Sequence, residues 1–448
     1  MLMQDQSITR LSAKNSLTVG ITLFSMLFGA GNLILAPMVG AQAGTAATAA
    51  MVGFIVSAVG LPILTIAAVA KIGTATDLGN LIHPLFSKVF IALVYLAIGP
   101  FLAIPRTAST SFQMLLPLLG VAQDKVAFAQ LVFSIVFFAL AFVLAMHPTK
   151  LNKLMGMFSG PALIILITLV VGKTLLFPAA APQATQVAAY STSPLATGFI
   201  RGYETMDVLA TLAFGVVVAM NIQSLGLKEP QAVSNQVIHS GVIAGIVMAV
   251  VYLGMCFVGM TVGPVIGNMA NGADIISSAA TIQYGVAGSA LVAAIFLIAC
   301  LNVCVGLVSS ISEYFVTTEV GKHLNYTQLA IGIVLISVVF ANFGLDTILA
   351  YSVPVLSALY PVTFVLTALG LAGGSKPSTA KAWKLTVVVC IVISTAIAMR
   401  NGFAPQVWIV FDALPLADIS LAWFIPSVVT FVLVWAYGAV FGKKQQQV

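Results

Sequence analysis

The chain has 448 residues, of which 60% are hydrophobic and only 7% are charged, and its mean hydropathy is +1.11. Soluble proteins carry about a quarter charged residues, so this composition excludes a soluble protein and indicates an integral membrane protein. Its apolar runs are long enough to be membrane-spanning helices of roughly 20 residues, whereas a membrane β-barrel would show alternating segments of about ten.

In chain order, the sequence predicts an all-α protein with about twelve membrane-spanning helices. The first apolar run is interrupted by glycine and is too long for a cleaved signal peptide, so we expect it to remain in the mature protein. The predicted spans are residues 16–39, 48–70, 87–116, 126–146, 155–177, 205–225, 238–262, 288–318, 327–342, 347–370, 383–400 and 420–441.

The lysine and arginine residues of the predicted loops indicate the orientation of the chain. If the N-terminus is cytoplasmic, thirteen of these residues face the cytoplasm and three face the other side. Cytoplasmic loops carry such an excess of positive charge, so both termini are predicted to be cytoplasmic. The formal net charge of +6 is then explained by loops that face anionic lipid, and no nucleic-acid partner is expected.

The spans fall into two sets that resemble copies of one plan. Spans one to five and six to ten cover nearly equal lengths, and each set is predicted to begin with a broken helix. Because five is odd, the second set enters the membrane from the opposite side, which predicts an inverted repeat. The predicted organisation is a cytoplasmic tail (1–15), a first repeat (16–177), an extracellular linker (178–204), a second repeat (205–370), and two extra helices with a cytoplasmic tail (371–448).

The predicted breaks are the strongest indication of function. Gly29-Ala30-Gly31-Asn32, followed by Pro37, interrupts the first span, and a second break is predicted near Phe214-Gly215. Backbone groups freed in hydrocarbon cost several kcal/mol each unless they are buried in protein or line a wet cavity. Broken helices at matching places in two repeats are typical of transporter binding sites. The alternative is that these glycines only allow close packing of helices.

Further short motifs are distributed along the chain. They are Ala58-Val59-Gly60-Leu61-Pro62, Gly99-Pro100 with Pro105-Arg106-Thr107-Ala108, Gly202-Tyr203 with Thr205-Met206-Asp207, and Ser352-Val353-Pro354-Val355-Leu356 with Tyr360-Pro361. Together with the first break, they resemble the bacterial branched-chain amino acid:cation symporters over nearly the whole chain.

That resemblance implies the LeuT-type fold, with five-plus-five inverted repeats and broken helices 1 and 6, in the bacterial cytoplasmic (inner) membrane. It implies uptake of leucine, isoleucine and valine with Na⁺ or H⁺ by alternating access, with no cofactor other than the coupling ion. The expected partners are the amino acid, the cation and the lipid bilayer. A carrier of another small neutral amino acid or of a nucleobase is the alternative. An enzyme is not expected, since the sequence has no HExxH, no GxSxG and no paired membrane aspartates.

We expect the two breaks to hold the substrate from opposite ends. The amides near the first break open the N-terminal end of a half-helix, whose positive dipole suits a carboxylate. Freed carbonyls at the second break would accept from the ammonium group, and an aromatic ring there would cover the aliphatic side chain. The candidate substrate residues are Gly29, Ala30, Gly31, Asn32, Arg106, Thr211, Ala213, Phe214 and Gly215.

The resemblance to sodium-coupled LeuT-type transporters also implies a cation site between spans one and eight. Its candidate ligands are the carbonyls of Ser25 and Phe28, a carbonyl near Val305 and the hydroxyl of Ser309, with Ser310 or Ser312 as a substitute ligand. This sequence departs from the pattern at Val308, where the sodium-coupled members have a hydroxyl residue. Proton coupling therefore remains an alternative to sodium coupling.

Three charged residues inside predicted spans are candidates for coupling or gating, because charge in the membrane interior is costly. Asp207 is the carboxylate near the predicted substrate site, and it could bind Na⁺, take up a proton or pair with a cation. Arg106 could pair with Asp207, contact the substrate carboxylate or bind a released helix carbonyl. Glu313 is expected to face the cytoplasmic exit.

Overall fold

The computed structural model describes residues 10–441, except residues 186, 268–271, 375–378, 403–406, 408 and 418. In this part of the chain the regular secondary structure is helical. The ends of both predicted cytoplasmic tails, 1–9 and 442–448, lie outside the described residues.

The first half of the chain forms helices α1 to α9, several of which are joined into longer spans by π-helical turns. These turns, Val56–Gly60, Ala97–Phe101 and Asn152–Ser159, lie before α4, α7 and α9. The second turn contains Pro100 and a non-helical Gly99, and such turns often occur at functional sites. The helices are α1 (Ala13–Leu27), α2 (Ala30–Ala43), α3 (Ala47–Ile55), α4 (Leu61–Ile72), α5 (Ala75–Asn80), α6 (Pro84–Leu96), α7 (Ala103–Leu119), α8 (Val126–Ala145) and α9 (Gly160–Leu176).

The second half forms helices α10 to α19, of which α13, α15 and α17 are the longest. They are α10 (Ala188–Thr192), α11 (Pro194–Tyr203), α12 (Asp207–Ser224), α13 (Pro230–Ile266), α14 (Gly272–Tyr284), α15 (Val286–Val316), α16 (Tyr326–Ala341), α17 (Leu345–Leu371), α18 (Ala380–Gly402) and α19 (Phe424–Phe441). Short 3₁₀ turns occur at Gln123–Lys125, Pro148–Lys150, Glu319–Lys322 and Ile409–Ala413.

The helices agree with the predicted membrane spans. Among the described residues, nine helical segments are long and apolar enough to cross a membrane. A further span is the pair α1 and α2, whose axes differ by 77° across their break. With the shorter apolar helices α16 and α19, these segments are consistent with the twelve predicted spans.

The second break lies elsewhere than predicted. Helix α12 is continuous through Phe214-Gly215, and the chain leaves the helical path earlier, at residues 204–206 between α11 and α12. A Cβ at Gly215 would lie 3.2 Å from Val69 of α4, so this glycine serves close helix packing. The prediction of a break there was therefore wrong. The predicted linker 178–204 also contains α10 and α11.

The helices differ in how much of their surface the protein covers. We compare the most apolar 18-residue stretch of each helix. In α12, 72% of that stretch is buried in the protein, but in the segment that contains α8 only 22% is buried. Phe128 and Val136 of α8 are among its exposed apolar side chains, as expected where lipid replaces protein as the neighbour. Helix α12 is therefore central, and α8 is peripheral.

Two helix crossings bring backbone directly against backbone. At the crossing of α2 and α13, a Cβ at Gly259 would lie 1.9 Å from the carbonyl oxygen of Pro37, and one at Gly40 would lie 2.0 Å from that of Cys256. At the crossing of α3 and α11, a Cβ at Gly198 would lie 1.9 Å from the carbonyl oxygen of Ala50. Only glycine permits such an approach. These contacts fix α2 and α11, one half of each broken helix, against their neighbours.

We predict that Gly259→Ala lowers the free energy of unfolding by about 1–3 kcal/mol, because the added methyl group overpacks a backbone contact. Gly172→Ala is the matched control, since an added Cβ there meets no described atom within 4 Å. In the interior of α9 that change should be neutral or stabilising. Melting temperatures of the two purified variants in detergent test this. Equal shifts would contradict the prediction.

Candidate functional site

The first break is stabilised by a side chain of α2, the helix that follows it. Helix α1 ends at Leu27, and α2 begins at Ala30 with Gly29 as its extended N-cap residue. The Gly29 amide donates to Oδ1 of Asn32 over 3.0 Å. Asn32 thus satisfies one of the backbone donors that a helix N-terminus leaves without a partner.

The second break is a three-residue turn that ends at a buried carboxylate. Its last residue, Met206, has a φ of 70°, a left-handed conformation that is costly for a residue with a side chain. The Thr205 hydroxyl donates to the carbonyl of Gly202 over 2.8 Å. Asp207 is the first residue of α12 and is only 2% exposed. The positive end of the α12 dipole favours the ionised form of its carboxyl group.

Asp207 connects the two breaks to each other. Its Oδ2 accepts from Nδ2 of Asn32 over 2.7 Å and from the hydroxyl of Tyr252 over 3.2 Å. Nδ2 of Asn32 also donates to the Tyr252 hydroxyl. Hydrogen bonds to an ionised carboxylate are about twice as strong as those between neutral groups. The cluster of Asn32, Asp207 and Tyr252 therefore fastens α2, α12 and α13 at one point.

Arg106 of α7 places a guanidinium between the same two breaks. Its side chain is buried, and Nη2 lies only 2.7 Å from the position that a Cβ of Gly31 would take. Nη1 donates to the carbonyl of Glu204 over 3.5 Å, which is long for a hydrogen bond. Among the alternatives for Arg106, the structure therefore shows a released helix carbonyl as its partner. In the described part of the chain it forms no ion pair with Asp207.

The cation of Arg106 is poorly satisfied for a buried charge. A guanidinium has five N–H donors, and the Glu204 carbonyl is its one hydrogen-bond acceptor among the described residues. A buried charge is costly unless it is paired, and a planar carboxylate matches the guanidinium through two parallel hydrogen bonds. The position is thus suited to receive an anion.

A small cavity of about 20 Å³ lies where these groups meet. Its walls combine the polar groups of the breaks with apolar side chains. The polar or backbone-exposing residues are Gly29, Ala30, Gly31, Asn32, Arg106, Thr107, Thr205 and Asp207. The apolar residues are Met26, Leu27, Ile98, Ala103, Met206, Ala210, Val303 and Leu307. Four predicted substrate residues of the first break, together with Arg106 and Asp207, are therefore brought to one place.

The residues predicted at the second break lie away from that cavity. Thr211 donates its hydroxyl to the carbonyl of Val208, one turn earlier in α12, and Ala213 and Phe214 are fully buried. Because α12 is continuous here, its carbonyls are not released as the prediction required. Gly215 packs against Val69. The released carbonyl belongs to Glu204, so carbonyls are not freed at Phe214-Gly215 as predicted, while substrate contact by Thr211, Ala213, Phe214 and Gly215 stays a prediction.

Two serine hydroxyls at the predicted sodium site donate to helix carbonyls in this structure, and the assignment of the site stays a prediction. The Ser25 hydroxyl donates to the carbonyl of Ile21 in its own helix over 2.8 Å. The Ser309 hydroxyl donates over 3.5 Å to the carbonyl of Ala145, at the end of α8 rather than on α1. Val305 lies inside the continuous helix α15, and Phe28 lies at the first break. The Ser310 hydroxyl is buried and has no hydrogen-bond partner among the described residues.

Glu313, the third charged candidate, does not line the cavity at the breaks. It is partly buried in the last turn of α15.

The sequence did not lead us to predict two groups of the site, Tyr252 and the Glu204 carbonyl. Tyr252 is the tyrosine in the middle of a very apolar span, which is a usable signal, since a buried hydroxyl needs a partner. A backbone carbonyl gives no such signal.

Comparisons with known proteins place this architecture in a family. Residues 12–440 match the family model described as "Branched-chain amino acid transport protein". The chain is 32% identical to the branched-chain amino acid permease BraB of Bacillus subtilis, with 97% of this chain and 98% of the relative covered. It is 34% identical to the branched-chain amino acid transport system 2 carrier protein of Pseudomonas aeruginosa, with 98% and 100% covered. It is 32% identical to the permease BrnQ of Escherichia coli K12, with 97% and 98% covered.

Two solved structures share the fold at low sequence identity. Mhp1, a nucleobase-cation-symport-1 family transporter in a closed conformation, has a TM-score of 0.55 and 12% identity, with 94% of this chain and 92% of that chain covered. The Eremococcus coleocola manganese transporter has a TM-score of 0.53 and 14% identity, with 98% of both chains covered. These likenesses confirm the predicted LeuT-type fold. The chain belongs to the family of branched-chain amino acid transport proteins.

Proposed function

We propose that this protein imports leucine, isoleucine and valine together with Na⁺ or H⁺ by alternating access between the two sides of the bacterial cytoplasmic membrane. The observation that carries the proposal is the meeting of an underpaired Arg106 and a buried Asp207 at two broken helices. Family membership and the names of the relatives support the choice of substrate. The excess of positive charge in the predicted cytoplasmic loops supports cytoplasmic termini.

The two ends of an amino acid have separate partners in this proposal. The carboxylate binds the guanidinium of Arg106 and the amides at the start of α2, where Gly31 leaves room for close approach. The ammonium group faces the Glu204 carbonyl, whose oxygen lies 3.5 Å from the position that a Cβ of Gly31 would take and accepts from Nη1 of Arg106. The aliphatic side chain packs against apolar groups of the cavity wall, among them Ile98, Val303 and Leu307.

Asp207 is the proposed coupling group. Its Oδ2 accepts two hydrogen bonds, from Asn32 of α2 and Tyr252 of α13. A cation or a proton that arrives at this carboxylate changes the charge at the point where α2, α12 and α13 are fastened. Coupling requires that the cation favour one conformation of the carrier over the other. Ser310, with its unpartnered buried hydroxyl, is an available further ligand for Na⁺.

Uptake of radiolabelled leucine into proteoliposomes tests the proposal. The imposed gradient is inward Na⁺, inward H⁺ or neither, and unlabelled valine, alanine and adenine serve as competitors. We expect accumulation under one gradient and inhibition by valine. Inhibition by adenine but not valine would favour a nucleobase carrier, and an absence of leucine uptake in tight vesicles would contradict the proposal.

Substitution of Gly31 is expected to weaken leucine binding. An added Cβ would lie 2.7 Å from Nη2 of Arg106 and must displace the end of that side chain. We expect Gly31→Leu to abolish detectable leucine binding and Gly31→Ala to weaken it by about tenfold, or 1.4 kcal/mol. Scintillation proximity binding with the purified protein measures both. Leucine binding by Gly31→Leu at the wild-type level would remove Gly31 from the proposed site.

A further inference from the structure

An apolar groove of about 560 Å³ runs along the outside of the bundle, between α6, α17 and α18. Much of its wall is open, since Leu85, Val89 and Val388 are each more than half exposed. The remaining residues of the wall are mostly aliphatic or aromatic. They include Phe86, Phe90, Leu93, Leu359, Val362 and Ile391. The groove therefore faces the hydrocarbon region and has the volume of a typical small-molecule site.

One end of this groove is cationic. Lys384 lines it, is exposed, and has no ion-pair partner among the described residues. His83 also lines it and is the N-cap residue of α6, where its Nδ1 accepts from the Leu85 amide over 3.2 Å. A neutral imidazole that accepts at Nδ1 carries its proton at Nε2, so a donor remains free.

Helix geometry adds to this positive end. His83 precedes the first residue of α6, and Lys384 lies in the second turn of α18, so both mark the N-terminal, positive ends of their helices. The described residues that line the groove include no Asp or Glu. Both residues fall on the predicted cytoplasmic side, where the leaflet of the membrane is rich in anionic lipid.

We infer that this groove is a binding site for an anionic phospholipid of the cytoplasmic leaflet. The acyl chain lies along the aliphatic wall, and the headgroup phosphate accepts hydrogen bonds from Lys384 and from Nε2 of His83. A phospholipid is the occupant that matches both halves of the site, because the apolar wall and the cationic end are continuous. The inference is independent of the substrate proposed above.

The groove touches helices that also carry the candidate functional site. Helix α6 continues through the π-helical turn into α7, which carries Arg106. On α17, Leu359 and Val362 line the groove, while Tyr360 between them donates to the carbonyl of Ser57 and stacks on Tyr203 at 3.8 Å. A lipid in the groove thus contacts both the span of Arg106 and the helix that supports α11.

Native mass spectrometry of the detergent-purified protein tests the inference. The protein is titrated with palmitoyl-oleoyl phosphatidylglycerol or with phosphatidylcholine of the same chains. We expect the wild-type protein to retain phosphatidylglycerol preferentially. Lys384→Gln should weaken that binding roughly fivefold, the value of one basic residue near an anionic surface. Adding His83→Ala should weaken it further, and Val388→Trp should weaken both lipids by filling the groove.

Lys150→Gln is the matched control, because Lys150 is an exposed cytoplasmic-side lysine that does not line the groove. It should leave lipid binding unchanged, and melting temperatures confirm that each variant is folded. Equal retention of the two lipids by the wild-type protein would overturn the inference. So would wild-type retention of phosphatidylglycerol by the folded double variant.

Discussion

Replacing Arg106 by glutamine is expected to weaken leucine binding by about a hundredfold while leaving the ligand-free protein at least as stable as before. Loss of one partner of a buried charge pair commonly costs 2–5 kcal/mol, and a hundredfold corresponds to about 2.7 kcal/mol. The guanidinium is buried with one long hydrogen bond, so its removal relieves an underpaired charge in the absence of substrate. Binding isotherms and melting temperatures of the same preparation measure both effects.

Two comparisons make this result specific. Arg106→Lys keeps the charge but loses the two-pronged geometry, so we expect intermediate binding. Arg201→Gln is the control, since Arg201 forms an i,i+3 pair with Glu204 at 3.0 Å and is 41% exposed. Such pairs contribute little, and binding should change less than fivefold. If Arg106→Gln lowers the melting temperature and spares binding, Arg106 has a structural role instead.

Asp207→Asn should abolish the response of uptake to an ion gradient. The asparagine oxygen still accepts from Asn32 and Tyr252, so the junction of α2, α12 and α13 should persist. What is lost is the carboxylate charge that we propose binds the coupling cation or proton. We expect leucine uptake under the driving gradient to fall at least about tenfold, to the level seen without a gradient. Proteoliposome uptake with and without the gradient measures this.

Asp124→Asn is the control for this change, because Asp124 is an exposed acidic residue in the turn before α8. Its uptake should match that of the wild-type protein. Melting temperatures of both variants establish that they fold. Gradient-driven accumulation by Asp207→Asn at the wild-type level would show that another group carries the coupling.

The membrane spans and the first break could be predicted because each has a local cause. Long apolar runs follow from the thickness of the bilayer, and Gly29 and Gly31 weaken the helix in which they occur. Helix α11 was missed because it has ten residues, among them Thr197, Gly198 and Arg201, and so does not resemble an apolar span. Its burial depends on the glycine contacts with α3, which only the folded structure shows.

The second break and the cation ligands depend on tertiary packing. Met206 adopts a left-handed conformation that surrounding contacts impose, whereas Gly215, the residue with the local propensity to break a helix, stays helical against Val69. The direction of the Ser309 hydroxyl depends on the rotation of α15 about its axis, where one residue corresponds to about 100°. The candidate carboxylate and guanidinium could be named in advance, since charge inside a membrane is rarely without function.

The small volume of the cavity at the breaks affects the affinity for a substrate and the selectivity between substrates in different ways. At about 20 Å³ it has room for little more than one water molecule, so in our proposal an amino acid binds only after the cavity widens. The apparent dissociation constant is then the intrinsic constant divided by the fraction of molecules that are open. That fraction is the same for every substrate and cancels from the ratio of two affinities. Substitutions that shift the opening equilibrium will therefore change the affinities for leucine, isoleucine and valine in parallel, while their rank order is set by the apolar wall.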